Sequence, residues 1–334
     1  MKRIISLDVL KYIACFFVIC IHMDIPNSAE IVLRPFLTTA VPIFFMITGF
    51  FYTQTRNAGN TKRQLGKIAI LALTANAVHF GYYILKHVLN KESVSQLVAK
   101  IFAQDALIEL FVFNQPVWRT SLWFINALLY VLLLVYLFEK KWQIYKLYPL
   151  IPVLLIFNLL GGTFSFALPT PVLPLCYSRN FLFCGLPYFL LGDFIFRNKK
   201  KMCSIFGKCR YIVLFSFAAY LELWILKNSD VLYYNDHLIS TTFLTVCLFC
   251  LFLEKENGFK GRFLTTLSGL GRKHSFVIYI THSILIEILY KTISVAGKRF
   301  PAIQNVFIWT GPVIVLALST LLAIALGSLK KKKT

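Results

Sequence analysis

The chain has 334 residues, 58% of them hydrophobic and only 15% charged, with a mean hydropathy of +0.70. Soluble domains are about 45–50% apolar and about 25% charged, so composition excludes a soluble globular protein and reads as an all-α integral membrane protein. The net charge of +21 does not signal nucleic acid. The basic residues fall between apolar stretches, where membrane orientation requires them.

About ten stretches are long enough to cross a hydrocarbon core of about 30 Å. They are 5–24, 35–53, 67–88, 121–138, 147–161, 179–196, 211–227, 237–253, 274–292 and 304–328. The expectation is one transmembrane domain over 1–334, a helical bundle around a polar cavity. The largest stretch outside the spans is 88–120, within which 105–114 reads as an interfacial or re-entrant piece. Lys2 and Arg3 before the first span mimic a signal peptide. No small-residue cleavage site follows, so this reads as a retained first helix. Most of the basic residues fall in alternate loops, including Lys199, Lys200 and Lys201 and the tail at 330–334. The positive-inside rule then puts both termini in the cytoplasm of a multi-pass plasma-membrane protein, and the lysine tail suits a stop-transfer signal facing anionic lipid.

Cys15, Cys20, Cys184, Cys247 and Cys250 lie within apolar stretches and act as small hydrophobes. Cys203 and Cys209 fall in a basic loop expected to be cytoplasmic and reduced. No Cys/His spacing suits a metal.

Ionisable groups at membrane depth are costly and usually face a bundle interior or wet cavity. In the first span Asp8, Lys11, Cys15 and His22 share one helical face, since Lys11 and His22 are about three turns apart. Histidine's pKa suits a general base at neutral pH. The alternatives are a headgroup-level position for His22 and a snorkelling one for Lys11. In the second span Thr48 and Gly49 sit among aromatics and predict close helix packing. Arg63 and Lys67, before the third span, form a basic cluster able to hold phosphate or merely to orient the chain. Trp123 opens the fourth span as an aromatic-belt residue or a site residue. Arg179 opens the sixth, ahead of Gly185, Pro187, Gly192 and Asp193. Glu222 is a carboxylate within the seventh span. Tyr279 and His282 are i,i+3 neighbours in the ninth, His282 being about mid-membrane.

These pieces resemble the acyltransferase 3 family of membrane acyltransferases over essentially the whole chain. The likeness is carried by Leu7, Asp8, Lys11 and His22; by the run Phe44 to Phe50; and by Leu122, Trp123 and Phe124. It continues through Arg179, Asn180 and Phe181 with Gly185 to Phe189 and Gly192, and ends in Gly271, Arg272, His274, Ser275, Ile278, Tyr279, Ile280, Thr281 and His282. The resemblance implies transfer of an acyl group, commonly acetyl, from cytoplasmic acyl-CoA to a glycan or lipid-linked sugar at the outer face. It makes His22 the essential histidine and acyl-CoA a substrate, with no bound cofactor. Lys11 stands where the family commonly has arginine, keeping the charge but not the planar fork. Arg63 and Lys67 are four apart where the family's basic pair is three apart. The implied substrate-binding residues are Lys11, Arg63, Lys67, Trp123, Arg179, Tyr279 and His282, to which Glu222 is added for its depth in the membrane, with acyl-CoA, the acceptor and the bilayer as partners. A different class also fits the resemblance: a small-solute or amino-acid transporter like the membrane module of serine/alanine racemases.

Overall fold

The computed structural model describes residues 3–168, 174–229, 237–255 and 261–331, so Lys2, Asp230, Asp236, Lys260 and most of the tail at 330–334 lie outside them. Among the described residues every regular element is helical and none is a strand. In chain order the α-helices are α1 (Ile5–Ile21), α2 (Asn27–Leu37), α3 (Ala40–Asn57), α4 (Thr61–Leu89), α5 (Val94–Ile101), α6 (Gln104–Phe111) and α7 (Trp123–Phe138). They continue with α8 (Leu150–Gly161), α9 (Leu186–Arg197), α10 (Lys199–Phe206), α11 (Cys209–Asn228), α12 (Ile239–Glu254), α13 (Arg262–Arg299) and α14 (Pro301–Lys331).

Among the described residues six segments are long and apolar enough to cross a membrane: Ser28–Asn57, Thr61–Leu89, Thr120–Phe138, Cys209–Asn228, Arg262–Arg299 and Ala302–Leu329. A helix also stands at each of the other four expected spans, but α1, α8, α9 and α12 have 17, 12, 12 and 16 residues. The sixth expected span is not one regular helix. A π-turn over Phe181–Gly185 leads into α9, where Pro187 sits in the first turn and has no N–H to leave unsatisfied. The Asn180 side chain caps the π-turn by accepting from the Leu182 and Phe183 N–H groups, 2.9 Å each. The ninth expected span is longer than its apolar core. Nothing between Arg262 and Arg299 breaks a helix, so polar flanks extend α13 to 38 residues, about 57 Å at 1.5 Å each. The 88–120 stretch contains α5 and α6, with Val98, Phe102 and Phe111 exposed.

The chain clusters into two compact units. The first holds Phe45–Asn198 and Leu226–Leu238. Within it α3 and α9 run parallel: Phe45 meets Gly185, Gly49 meets Phe189, and Thr53 donates to Asp193 at 2.5 Å. A Cβ on Gly49 would stand 1.9 Å from the Phe189 carbonyl oxygen, and one on Gly192 2.1 Å from that of Met46. Glycine at both positions therefore sets the approach of the two backbones. α8 runs antiparallel to α9, with Asn158 Nδ2 donating to the Ser178 carbonyl at 2.8 Å and the Tyr148 hydroxyl to Asp193 at 2.6 Å. Asp193 is fully buried, and Arg197 donates to it at 3.0 Å, so the carboxylate is paired as burial demands.

The second unit holds Lys2–Phe44, Lys199–Ile225 and Ile239–Thr334. Here α1 and α13 run side by side in the same direction, and α14 packs against both, antiparallel to α1. Gly311 meets Met23 at one end of that contact, and Tyr12 and Thr320 share a 3.2 Å hydrogen bond towards the other. Cys15, Ile19 and Met23 of α1 and its exit bury a common core with Ile278 and Ile286 of α13 and Phe307 and Val315 of α14.

Candidate functional site

The α1–α13 seam is built from its start upward. Asp8 is buried and accepts from Arg3 Nε at 3.2 Å and from Lys11 Nζ at 3.5 Å. Arg3 also donates to Ser268 of α13, which ties the two helix starts together. One turn on, Gly271 lies against the Asp8 carbonyl, where a Cβ would stand 2.0 Å from the oxygen. Cys15 Sγ points its proton at the Ser275 carbonyl at 3.8 Å. Beyond the histidines the Asp24 N–H donates to the Tyr290 hydroxyl at 2.8 Å.

Between these anchors the two histidines meet. His22 and His282 have ring centroids 5.4 Å apart, tilted by 35°. His22 is the C-cap of α1, and its N–H bonds back to the Ile19 and Cys20 carbonyls. The chain cannot stay helical through Pro26, because a residue before proline is pushed out of the helical region. His22 is thus held at a helix end and is exposed. His282 is 1% exposed, and its Nδ1 lies 2.6 Å from the Tyr279 carbonyl oxygen. A carbonyl can only accept, so Nδ1 carries the proton. In the neutral ring Nε2 then carries the lone pair. The Tyr279 ring is 6.0 Å from that of His282. Around the connection from α1 to α2 a cavity of about 320 Å³ is lined by Cys20, Met23, Asp24, Glu30 and Arg34, with Arg34 donating to Glu30 at 3.0 Å. The arrangement is an exposed imidazole next to a buried, orientation-locked one.

Of the residues singled out in the sequence, this seam brings together His22, Tyr279 and His282, with Lys11 about 16 Å below His22 along the helix. Glu222, in the same unit, accepts from the Ser240 N–H at 2.9 Å and from the Ser240 hydroxyl, holding the first turn of α12. The others lie in the first unit. Arg63 and Lys67 are exposed in the first two turns of α4. Trp123 is buried, its carbonyl accepting from Asn114 at 2.9 Å and its ring 6.3 Å from that of Phe45. Arg179 is half-buried just before Asn180. Sequence reasoning missed Arg3, Ser268 and Tyr290, whose partners are far away in the chain and leave no local signal. It also left Asp193–Arg197 unread, although their i,i+4 spacing was legible. Among the described residues no group of three or more His, Cys, Asp or Glu is arranged to hold a metal ion.

A membrane-embedded helical protein with a histidine pair on one helix seam defines a class rather than a chemistry. The chemistry comes from the family: a model described as an acyltransferase domain, the acyltransferase 3 model, matches residues 4–328. The chain belongs to the acyltransferase 3 family of membrane acyltransferases. The comparison with curated proteins found no match. That with solved structures found none either.

Proposed function

We propose that this protein moves an acyl group, acetyl in the simplest case, from cytoplasmic acyl-CoA to a hydroxyl of an extracytoplasmic or lipid-linked glycan at the plasma membrane. The observation that carries the reading is the contact between His22 and His282 on the α1–α13 seam. His22 removes the proton from the acceptor hydroxyl, whose oxygen attacks the thioester carbonyl. The C–S bond then breaks, and the CoA thiolate leaves and takes the proton from the imidazolium. In a two-step variant His22 Nε2 or Nδ1 attacks first and carries the acyl group as an acyl-imidazole. His282 orients and buffers His22; its own tautomer is fixed by Tyr279. Lys11 and Arg3, only partly neutralised by Asp8, leave a net positive charge on the donor side of α1. Donor-phosphate roles for Arg63 and Lys67, and substrate roles for Trp123 and Arg179, rest on the sequence resemblance, and that for Glu222 on its membrane depth alone.

Helix directions support ten crossings with both termini on one side. α3 and α9 are parallel, so an odd number of crossings separates them; α4 and α7 make two, and α8 supplies the third. α1 and α13 are also parallel, from Asp8 against Gly271 to His22 against His282. An odd number must separate them as well, and α12 makes the seventh. The basic loops then favour cytoplasmic termini.

The test is thiol release from acetyl-CoA by purified protein in liposomes, comparing wild type with His22→Ala. Release that depends on His22 sustains the reading. Release that is equal in a folded His22→Ala variant overturns it, and uptake of intact solute without any release favours the transporter class.

A further inference from the structure

A second cavity, of about 550 Å³, opens between α13 and α14, two to three helical turns before His282 on α13. Lys273 and His274 line it with Val277 on α13; Ile324, Gly327 and Ser328 line it on α14. Gly327 lies beside His274, where a Cβ would stand in ordinary contact with the imidazole Cε1, 3.5 Å away. No acidic residue lines it. No acidic residue occurs between Arg262 and Ile286, and none from Pro301 to the end of the chain. Asp8, the carboxylate that α1 brings to this end of α13, is already engaged by Arg3 and Lys11. Lys273 is exposed and has no ion-pair partner among the described residues. From Ser328 the sequence runs directly into Lys330–Lys333. The floor is apolar, and exposed Leu321 and Leu326 continue that surface outward on α14.

A pocket with unanswered positive charge at one end and an apolar wall at the other selects an amphiphile with an anionic head. Lysine binds phosphate as a point charge, and basic pockets between membrane helices hold lipid headgroups. We propose that this pocket binds a phosphate ester carried on an apolar arm, the phosphate against Lys273 and His274 and the arm along Val277 and Ile324. Two sources supply that chemistry: an anionic phospholipid, and acyl-CoA itself. The acyl-CoA source rests on the donor proposed above. His274 is eight residues before His282, about 12 Å along α13, a span that a phosphopantetheine arm covers.

The experiment uses the full chain in nanodiscs. Coenzyme A binding is measured by calorimetry in phosphatidylcholine discs. Retention of phosphatidylglycerol is measured by native mass spectrometry from mixed discs. Both are run on wild type, Lys273→Glu, His274→Ala and the off-pocket control Arg262→Glu. A tenfold or greater loss of coenzyme A affinity in Lys273→Glu, absent in Arg262→Glu, places the donor's phosphates here. Unchanged coenzyme A affinity with loss of retained phosphatidylglycerol places a lipid headgroup here. If wild type binds no coenzyme A, the donor reading fails while the lipid arm still decides the pocket. If both readouts match wild type in folded Lys273→Glu and His274→Ala, the proposal is overturned.

Discussion

Gly271→Ala is the sharpest probe of the α1–α13 seam. The added Cβ would stand 2.0 Å from the Asp8 carbonyl oxygen and 3.1 Å from the Asp8 carbonyl carbon and the Tyr12 nitrogen. Contacts to a real Cβ essentially never fall below 3.0 Å, so α1 and α13 must part by about 1 Å or more. The obstacle is backbone on both sides, so no rotamer change relieves it. Overpacking of this kind costs about 1–3 kcal/mol. The same displacement reaches the histidine pair, where an error of about 1 Å can cost about 10²-fold in rate. Gly269→Ala, two residues earlier on the same helix, is the control. Its Cβ meets nothing within 4 Å, and alanine in a helix interior gains about 0.5–1 kcal/mol over glycine. The assay is the thermal unfolding midpoint in detergent, alongside thiol release from acetyl-CoA. The expected result is a lower midpoint and about a 10²-fold slower reaction for Gly271→Ala, with neither loss in Gly269→Ala. Equal behaviour of the two variants would refute the claim that backbone contact at Gly271 sets the seam.

In the first unit Gly192→Ala should destabilise by a similar margin, because its Cβ would fall 2.1 Å from the Met46 carbonyl oxygen; thermal unfolding of the variant checks this. Asp8→Asn removes the shared counter-charge of Arg3 and Lys11. It should cost about 1–3 kcal/mol, as for loss of hydrogen bonds to charged groups, and additional Lys11→Met should recover part of it in a double-mutant cycle. Asp193→Asn leaves Arg197 and the Tyr148 hydroxyl facing a neutral amide. A loss of folded yield larger than for Asp8→Asn is expected, since Asp193 is fully buried and Asp8 is not quite.

Much of this architecture was legible in the sequence. Hydropathy located the apolar segments, and Thr48 with Gly49 announced close packing, which the Gly49–Phe189 contact shows. Asp8 and Lys11, read from the sequence onto one helical face, form an ion pair at 3.5 Å. Segment ends were less legible. Hydropathy windows see the apolar core of α13 but not the polar turns that continue it, and they cannot see the π-turn before α9 that Asn180 caps. His22 and His282 each stood out by depth and type, yet their contact is tertiary. It depends on Gly271 and on Arg3 bridging to Ser268, and neither pairing leaves a trace in local spacing. Glu222 stood out for its depth, whereas its carboxylate is held by the start of α12.

The central claim is that His22 and His282 act as one unit in acyl transfer. The most direct test compares thiol release from acetyl-CoA by His22→Ala, His282→Ala and the double variant, each shown to be folded and inserted. Groups that work together lose their function together, so each single variant should fall by about 10²–10⁴-fold and the double no further than the worse single. Losses that multiply in the double variant, or a His282→Ala protein that reacts at the wild-type rate, would contradict the account.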